Sequence, residues 1–401
     1  MTTQTTPVIQ KRARKNVPTE QHLDLMQLSR HLDDAEQARL AGLTQHLQQT
    51  VRPAVIEPWN AEEFPDRLLP GLAALGLGET LVDGSSPLFQ GLAHAAIARA
   101  DVSLSALLGI HNELIIGTIQ QLGSEDQRQR WLPRLRSLEA IGAFCLTEPE
   151  HGSDIAGGLA TSATLSDGEW QIRGSKRWIG AGTMADIALV WARDTADGQI
   201  KGFLVPTGTP GYRASKIEGK TGLRIMQNAD VELDVTVPED AILPGATSFS
   251  VTNDLLMSSR AWVGWQAVGA QQALFDIASG YARQREQFGT PLASFQLIQS
   301  TLAHVAGNLA VSTALMGELS RLQEEGALTM LRASLAKATL TRLARESAAA
   351  AREILGGNGI LSTHEIAKVA ADIEALYTYE GTHSINMLIA GRELTGMSAF
   401  V

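Results

Sequence analysis

Leu40, Leu43, Leu47 and Val51 recur at steps of three and four residues, the spacing of one face of a helix. Asp33 and Asp34 offer an N-cap, and Pro53 closes the run. Residues 92–121 and 125–135 repeat the pattern, so residues 32–135 are expected to be helical throughout. Near Gly142 the texture changes. The stretch "VELDVTVP" (231–238) alternates apolar and polar positions, as a half-buried strand does. "EWQIRGSKRWIG", "ADIALVWARD" and "IKGFLVP" are short, strand-like and separated by Gly, Asp and Pro turns, which predicts a β domain from Gly142 to about Gly245. The helical period then returns. Leu302, Val305, Leu309, Leu315, Leu319 and Leu322 make one apolar stripe, and residues 330–355 make a second, Ala-rich one. Strands and helices are segregated rather than alternating, so the class is α+β and not a doubly wound sheet. The divisions expected are a flexible tail (1–29), a helical domain (30–141), a β domain (142–248) and a second helical domain (249–401).

A chain of 401 residues is too long for one ordinary core, and 44% hydrophobic with 19% charged residues fits a globular protein with a large interior. Apolar runs such as "IALVWA" (187–192) are too short to span a bilayer. The N-terminus "MTTQTTPVIQKRARKNVP" lacks the apolar segment of a signal peptide. Its cluster Lys11, Arg12, Arg14 and Lys15 imitates a transit peptide but reads as a tail or an arm over a neighbouring subunit. Cys145 is the only cysteine, so there is no disulfide framework, and a reducing, cytoplasmic compartment fits. A net charge of −10 argues against nucleic-acid binding and leaves room for an anionic ligand held by local arginines.

No dinucleotide fingerprint is present: "LGLGE" and "LGGNGI" are Gly-rich but neither follows a strand and opens a helix. Gly356, Gly357 and Gly359 read as a helix C-terminus turning into a loop. Nine histidines show no metal-ligand spacing, and His151 and His383 read as polar loop residues. "FCLTEPEHGSDIAGG" (144–158) sets Thr147, Glu148, Ser153 and Asp154 beside small-residue turns. It would suit the polar edge of a heterocycle or a phosphate, or form an ordinary turn with Asx and Ser caps. Trp178 closes a strand, where an aromatic is more often core than ligand contact. Arg285, before Phe288 and a Gly-Thr-Pro break, could pair with a phosphate or solvate a helix end. Finally "YTYEGTHSIN" (377–386) sets one carboxylate, Glu380, on a turn between helical runs. Flanked by Tyr377, Tyr379 and "INMLIAG", it would be partly desolvated, a setting that makes a carboxylate a stronger base.

Taken in order, "LTEPEHGSD", "GSKRWIG", "REQFG", "LGGNGI" and "YEGTHSINMLIAGRELTG" resemble the acyl-CoA dehydrogenase family, from about residue 40 to the C-terminus. The resemblance implies a helical N-terminal domain, a middle β-barrel domain and a C-terminal four-helix bundle, with FAD as cofactor and a homotetramer built as a dimer of dimers. Matched by position, Glu380 would be the catalytic base. Phe144, Leu146 and Thr147 would line the isoalloxazine edge, Trp178 and Ile179 would lie near its face, and Thr382 would sit beside the flavin. Arg285, Phe288, Gln296, Gly356, Gly357 and Gly359 would hold the FAD of the neighbouring subunit. Ser153 and Gly381 would adjoin the thioester, and Arg260 would stand near the base. The implied reaction is α,β-dehydrogenation of an acyl-CoA: the base takes the α proton, flavin N5 takes the β hydride, and electrons pass to an electron-transferring flavoprotein.

Three departures refine that expectation. Gly180 follows "RWI" where many dehydrogenases carry a flavin-bonding Thr; with "GLRIMQN" and "LGGNGIL" this resembles plant short-chain acyl-CoA oxidases, which makes oxygen the rival acceptor. The chain ends Ala399-Phe400-Val401, which is not a peroxisomal address and favours the dehydrogenase. The C-terminal half resembles glutaryl-CoA dehydrogenase, yet Leu104 and Ser105 stand where that branch places the Arg for a distal carboxylate, so a short or branched monocarboxylyl-CoA is expected. Glu353 replaces a Gln common among relatives. A non-catalytic flavin or acyl-CoA binding protein is a further reading, disfavoured because Glu380 is retained.

Overall fold

The computed structural model describes residues 24–398; the basic cluster at Lys11–Lys15 and the last three residues lie outside them. Residues 24–29, within the expected tail, are bonded: Asp24 accepts from the Leu28 and Ser29 N–H groups, and Leu28 packs at Gly317.

Asp33 caps helix α1 (Asp34–His46) by accepting the Glu36 N–H, and Leu43, Leu47 and Val51 carry its buried face into a wide turn and the Pro53 stop. Two short helices follow, α2 (Ile56–Ala61) and α3 (Leu69–Ala74). Helix α4 (Pro87–Ala100) starts with Ser86 as cap and Pro87 in its first turn. The apolar stretch expected as one helix is broken at Asp101. Its backbone is extended (ψ 124°), and its carboxylate caps α5 (Val102–Gly109) by accepting the Leu104 N–H at 2.7 Å. A π turn (Ile110–Ile116), α6 (Gly117–Leu122) and α7 (Glu125–Arg136) complete the region. Val102–Leu122 is long and apolar enough to cross a membrane by composition, unlike the runs expected, and 89% of its apolar window is buried inside the protein.

The middle region is a seven-stranded sheet with one short helix, α8 (Ile155–Gly158). Its strands are β1 (Gly142–Cys145), β2 (Ser162–Ser166), β3 (Glu169–Ile179), β4 (Ile187–Asp194), β5 (Ile200–Pro206), β6 (Tyr212–Lys216) and β7 (Ala229–Pro238). β1 and then β2 pair parallel with successive stretches of β4, while β5 pairs antiparallel along β4 and β6 pairs with β7. The expected β domain is thus a curled sheet. β7 alternates buried and less buried residues as its sequence does, whereas β4 is buried on both faces.

Helix α9 (Thr252–Gln284) is followed by a hairpin of β8 (Glu286–Gln287) and β9 (Thr290–Pro291), then by α10 (Gln296–Glu324), α11 (Met330–Ile354), α12 (Ile366–Thr378) and α13 (His383–Thr395). Met316 of α10 is buried with Val305, Leu309 and Leu319, while Leu302 and Leu315 are half-buried. The two helical regions share one core: Leu43, Ile97 and Leu104 belong to the same apolar cluster as Val268, Leu340 and Leu376.

A buried polar knot ties the regions together. Lys368 of α12 reaches Asp101 at 2.5 Å and Asp372 at 2.9 Å. Asp372 also accepts from Trp59 Nε1 and from the Leu223 N–H between β6 and β7. Burial pushes the Asp101 carboxyl up, against the pull of Lys368. Burial works against the Lys368 ammonium too, yet Asp101 and Asp372 hold its affinity for a proton above the ordinary value.

Candidate active site

Helix α12 ends at Thr378 with Tyr379 as its C-cap, and α13 begins with Thr382 as its cap, leaving Glu380 and Gly381 to turn the chain. Both are left-handed, at φ +52° and +81°. Gly381 adopts this conformation freely, and a Cβ there would meet Asn386 Nδ2 at 2.9 Å. Glu380 is rarely found so and needs its surroundings to hold it.

They do so from three helices. Lys337 of α11, fully buried, donates to the carbonyls of Tyr377 (3.1 Å) and Gly381 (2.6 Å), one on each side of Glu380. Asn386 of α13 donates to the carbonyls of Gly381 (2.7 Å) and Thr382 (3.1 Å). Arg260 of α9 in turn donates to Asn386 Oδ1 at 3.0 Å, and its neighbour Ser259 donates to Glu380 Oε2 at 2.5 Å. Below the turn, Tyr379 donates its hydroxyl to Gln266. Burial pushes the Lys337 ammonium down to about 7; Glu380 opposes this and Arg260 adds to it. Burial likewise lowers Arg260, with Glu380 opposing, and raises the Tyr379 phenol well above its usual range.

The Lys337 shift has a consequence for stability. Its folded value lies below the ordinary 10.5, so between about pH 7 and 10.5 the unfolded chain binds the extra proton. Stability therefore rises with pH across that window. Lys337→Met should melt with a shallower rise between pH 7 and 10 than the unaltered protein, and parallel curves would refute the assignment.

On the sheet, "LTEPEH" and "GSKRWIG" are held together by a buried ion pair. Lys176 Nζ lies 2.9 Å from Glu148 Oε1 and donates to the Leu146 carbonyl, while Glu148 accepts the N–H groups of Ala160 and Thr161. The Arg177 N–H donates to the Thr147 carbonyl at 2.8 Å. A bulge between Lys176 and Ile179 then turns Trp178 outward at φ +62°, 53% exposed, with the Arg177 guanidinium 5.3 Å from its ring. Trp178 is therefore not the core residue that its strand-end position suggested. Phe144 is half-buried beside Trp191, and Leu146 and Ile179 are buried in the cores. Thr147 is half-buried and Ser153 exposed. Gly180 is closely approached: a Cβ would lie 2.8 Å from Ile110 Cδ1 and 3.4 Å from Met226 Cε, so the ends of those side chains would have to shift.

Arg285, Phe288 and Gln296 stand apart from the Glu380 turn, on the exposed hairpin and the first residue of α10. The Gly356–Ile360 turn adjoins that end of α9, where Asn358 donates to the Tyr281 hydroxyl. Gly356 and Gly357 have open space where a Cβ would be, and Glu353 is exposed on the last turn of α11. Large apolar side chains left bare gather on these segments: Phe288 at 95%, Leu297 at 82% and Ile360 at 72%. His383, expected in a loop, opens α13 and stacks on Tyr377. His151 does lie in a loop, bonded to Asp154.

Sequence reasoning missed Ser259, Lys337 and Asn386. Ser259 sits beside the Arg260 that was singled out. Lys337 carried a readable signal, a lysine on the stripe of Ala333, Leu340 and Ala344, all buried.

Three family models match the chain in sequence: the acyl-CoA dehydrogenase N-terminal domain over residues 33–139, its middle domain over 143–236 and its C-terminal domain over 249–395. The short-chain specific acyl-CoA dehydrogenase of Homo sapiens is 33% identical over 331 residues, 81% of this chain and 80% of that protein. Glutaryl-CoA dehydrogenase from Mycobacterium smegmatis superposes with a TM-score of 0.90 at 36% identity, over 95% of this chain and 99% of that one. A second crystal structure, of a glutaryl-CoA dehydrogenase from Mycobacterium smegmatis in complex with FADH2, gives 0.90 at 33% identity over the same shares.

Proposed function

The chain belongs to the acyl-CoA dehydrogenase family, and from that premise we propose that it removes hydrogen from Cα and Cβ of a short or branched acyl-CoA, with Glu380 as the base that takes the α proton. The observation that carries this reading is the held turn. A single carboxylate in a left-handed conformation is fixed from both sides by Lys337 and from beneath by Asn386. Such fixing costs backbone strain and makes sense where a reacting group must not wander. Ser259 orients the carboxylate and gives way as a substrate proton approaches. The Glu380 N–H makes no hydrogen bond among the described residues, which suits it to the thioester carbonyl, where negative charge develops as the α proton leaves.

FAD, when bound, supplies the acceptor for the β hydride. The residues present fit it: the outward indole of Trp178, the Thr147 segment locked to its strand and the exposed Gly356–Gly357 turn, where no side chain stands in the way, are features a flat heterocycle and its phosphates can use. Thr147, Trp178 and Thr382, with the backbones of Phe144, Leu146 and Ile179, are assigned to the flavin of the same subunit. Arg285, Phe288, Gln296, Gly356, Gly357 and Gly359 are assigned to that of a partner copy. Ser153, Arg260 and Gly381 are assigned to the thioester side. A dimer of dimers, a homotetramer, would cover the bare Phe288, Leu297 and Ile360. A cytoplasmic setting fits a chain whose one cysteine, Cys145, is buried, with its thiol pushed up to about 12 by burial.

Leu104 and Ser105 are buried, and Ser105 is taken up by Gln266 and the His94 carbonyl, so no cation stands there for a distal carboxylate. An electron-transferring flavoprotein is the acceptor in this reading. Gly180 favours a second one, direct reaction with oxygen. Against it, Ile110 and Met226 fill the space that the missing side chain would otherwise open. The test is the visible spectrum of the purified protein, taken anaerobically before and after butyryl-CoA or isobutyryl-CoA. A flavin band that bleaches supports dehydrogenation, and one that never bleaches with either removes it. Readmitting air then separates the acceptors: stoichiometric peroxide means oxidase, and a reduced flavin that persists means dehydrogenase.

A further inference from the structure

Two stretches assigned to the flavin, 144–147 and 178–179, lie at the ends of strands that are not ladder partners. Among the described residues β1 pairs with β4 alone, while β3 pairs with β2 and β7. The curl of the sheet nevertheless brings the end of β1 against the end of β3, where the Arg177 N–H donates to the Thr147 carbonyl at 2.8 Å. The sheet thus closes there along a seam without a ladder.

Behind the seam stand Lys176 and Glu148, whose side chains are 0% and 3% exposed. The carboxylate collects three donors: Lys176 Nζ at 2.9 Å, and the N–H groups of Ala160 at 2.6 Å and Thr161 at 2.8 Å, just ahead of β2. The ammonium also donates to the Leu146 carbonyl at 3.1 Å. Three backbone segments, the ends of β1 and β3 and the entry to β2, are therefore tied to one charge pair. Their neighbours Thr147 and Trp178 are left half-buried and exposed.

Stability alone does not account for this pair. Taking two charges out of water costs about as much as their attraction returns, and apolar residues of like volume would often serve the fold as well or better. Apolar residues could not, however, hold a carbonyl and two N–H groups at set distances and directions. What the pair contributes beyond them is position.

We propose that Glu148 and Lys176 are positioning residues for the flavin: without touching it, they fix across the seam how Leu146 and Thr147 stand relative to Trp178 and Ile179. A ligand contacted from both sides of a seam is gripped only as well as the seam is fixed, since a misplacement of about 1 Å is costly where groups must meet. The inference rests on the assignment of both stretches to FAD above and adds what keeps them in register.

The experiment removes both charges together. Glu148→Gln combined with Lys176→Met roughly keeps the volumes and strands no buried ion, as either change alone could. FAD affinity is read from the fluorescence of flavin released on dilution of the holoprotein, and the setting of the flavin from its visible circular dichroism under excess FAD. Expected are a dissociation constant raised by about tenfold or more, as when the partners behind a metal's ligands are removed, and an altered dichroic band. Glu148→Asp keeps the charge but shortens the arm by one methylene. It should alter the band as well, and it decides the matter if the double variant does not fold. Affinity and band both unchanged would overturn the proposal. So would weaker binding with an unchanged band, which would make the pair a prop for the fold only. An unaltered protein that takes up no FAD would bring down the flavin assignment and the inference with it, whereas FAD held equally well by the unaltered protein and the variants counts against the inference alone.

Discussion

Glu380→Gln should lower turnover by about 10²- to 10⁴-fold, the usual share of a positioned general base, while leaving the bound flavin in place. The amide matches the carboxylate in size and can still meet Ser259, so the turn keeps its clamps from Lys337 and Asn386. What it loses is the ability to accept a proton. The effect should therefore fall on kcat, with acyl-CoA binding little changed, as for an interaction made only in the transition state. Stopped-flow bleaching with butyryl-CoA, set against flavin absorbance per polypeptide, reads both quantities. A variant that turns over near normally would place the base elsewhere, and one that loses flavin would mean that Glu380 holds the cofactor site together.

The largest loss of stability should come from Lys368→Met. Removing this ammonium leaves Asp101 and Asp372 facing each other in the interior with no counter-charge, a situation that typically costs about 3–5 kcal/mol. The loss should be global. Asp101 caps α5, and Asp372 accepts from Trp59 and from the loop before β7, so all three regions are anchored on the same pair. A melting curve displaced as a whole is the expected result. An unchanged midpoint would mean that the carboxylates find water or protons at no cost.

Much of the architecture was legible because burial leaves a period in the sequence. β7 shows it most plainly, where every second residue from Ala229 is buried. The break at Asp101 was harder to see, since the residues before and after it are apolar and only the cap geometry stops α4. The site divides in the same way. Glu380 could be singled out because a lone acid between aromatics and an apolar run is unusual. Ser259, Lys337 and Asn386 could not be joined to it, because they lie on three helices that meet only in the folded chain. His94 and Glu113 were silent for a related reason. They are nineteen residues apart, on α4 and on the π turn, and they meet only in the folded chain, where Trp262 of α9 stacks on His94.

The shared core of the two helical regions bears on how the molecule comes into being. Ile97, Leu104 and their neighbours are synthesised before the sheet, yet their apolar partners Val268, Leu340 and Leu376 are synthesised after it. During translation the first helices therefore emerge with half of their interior missing and must wait, sticky, while the whole sheet is made. Folding of the sheet has the more local contacts and can finish first, so it works as a spacer that later brings the waiting helices to α9. The nascent chain is at its most vulnerable to aggregation in that interval, and a chaperone that shields α4 and α5 would act there.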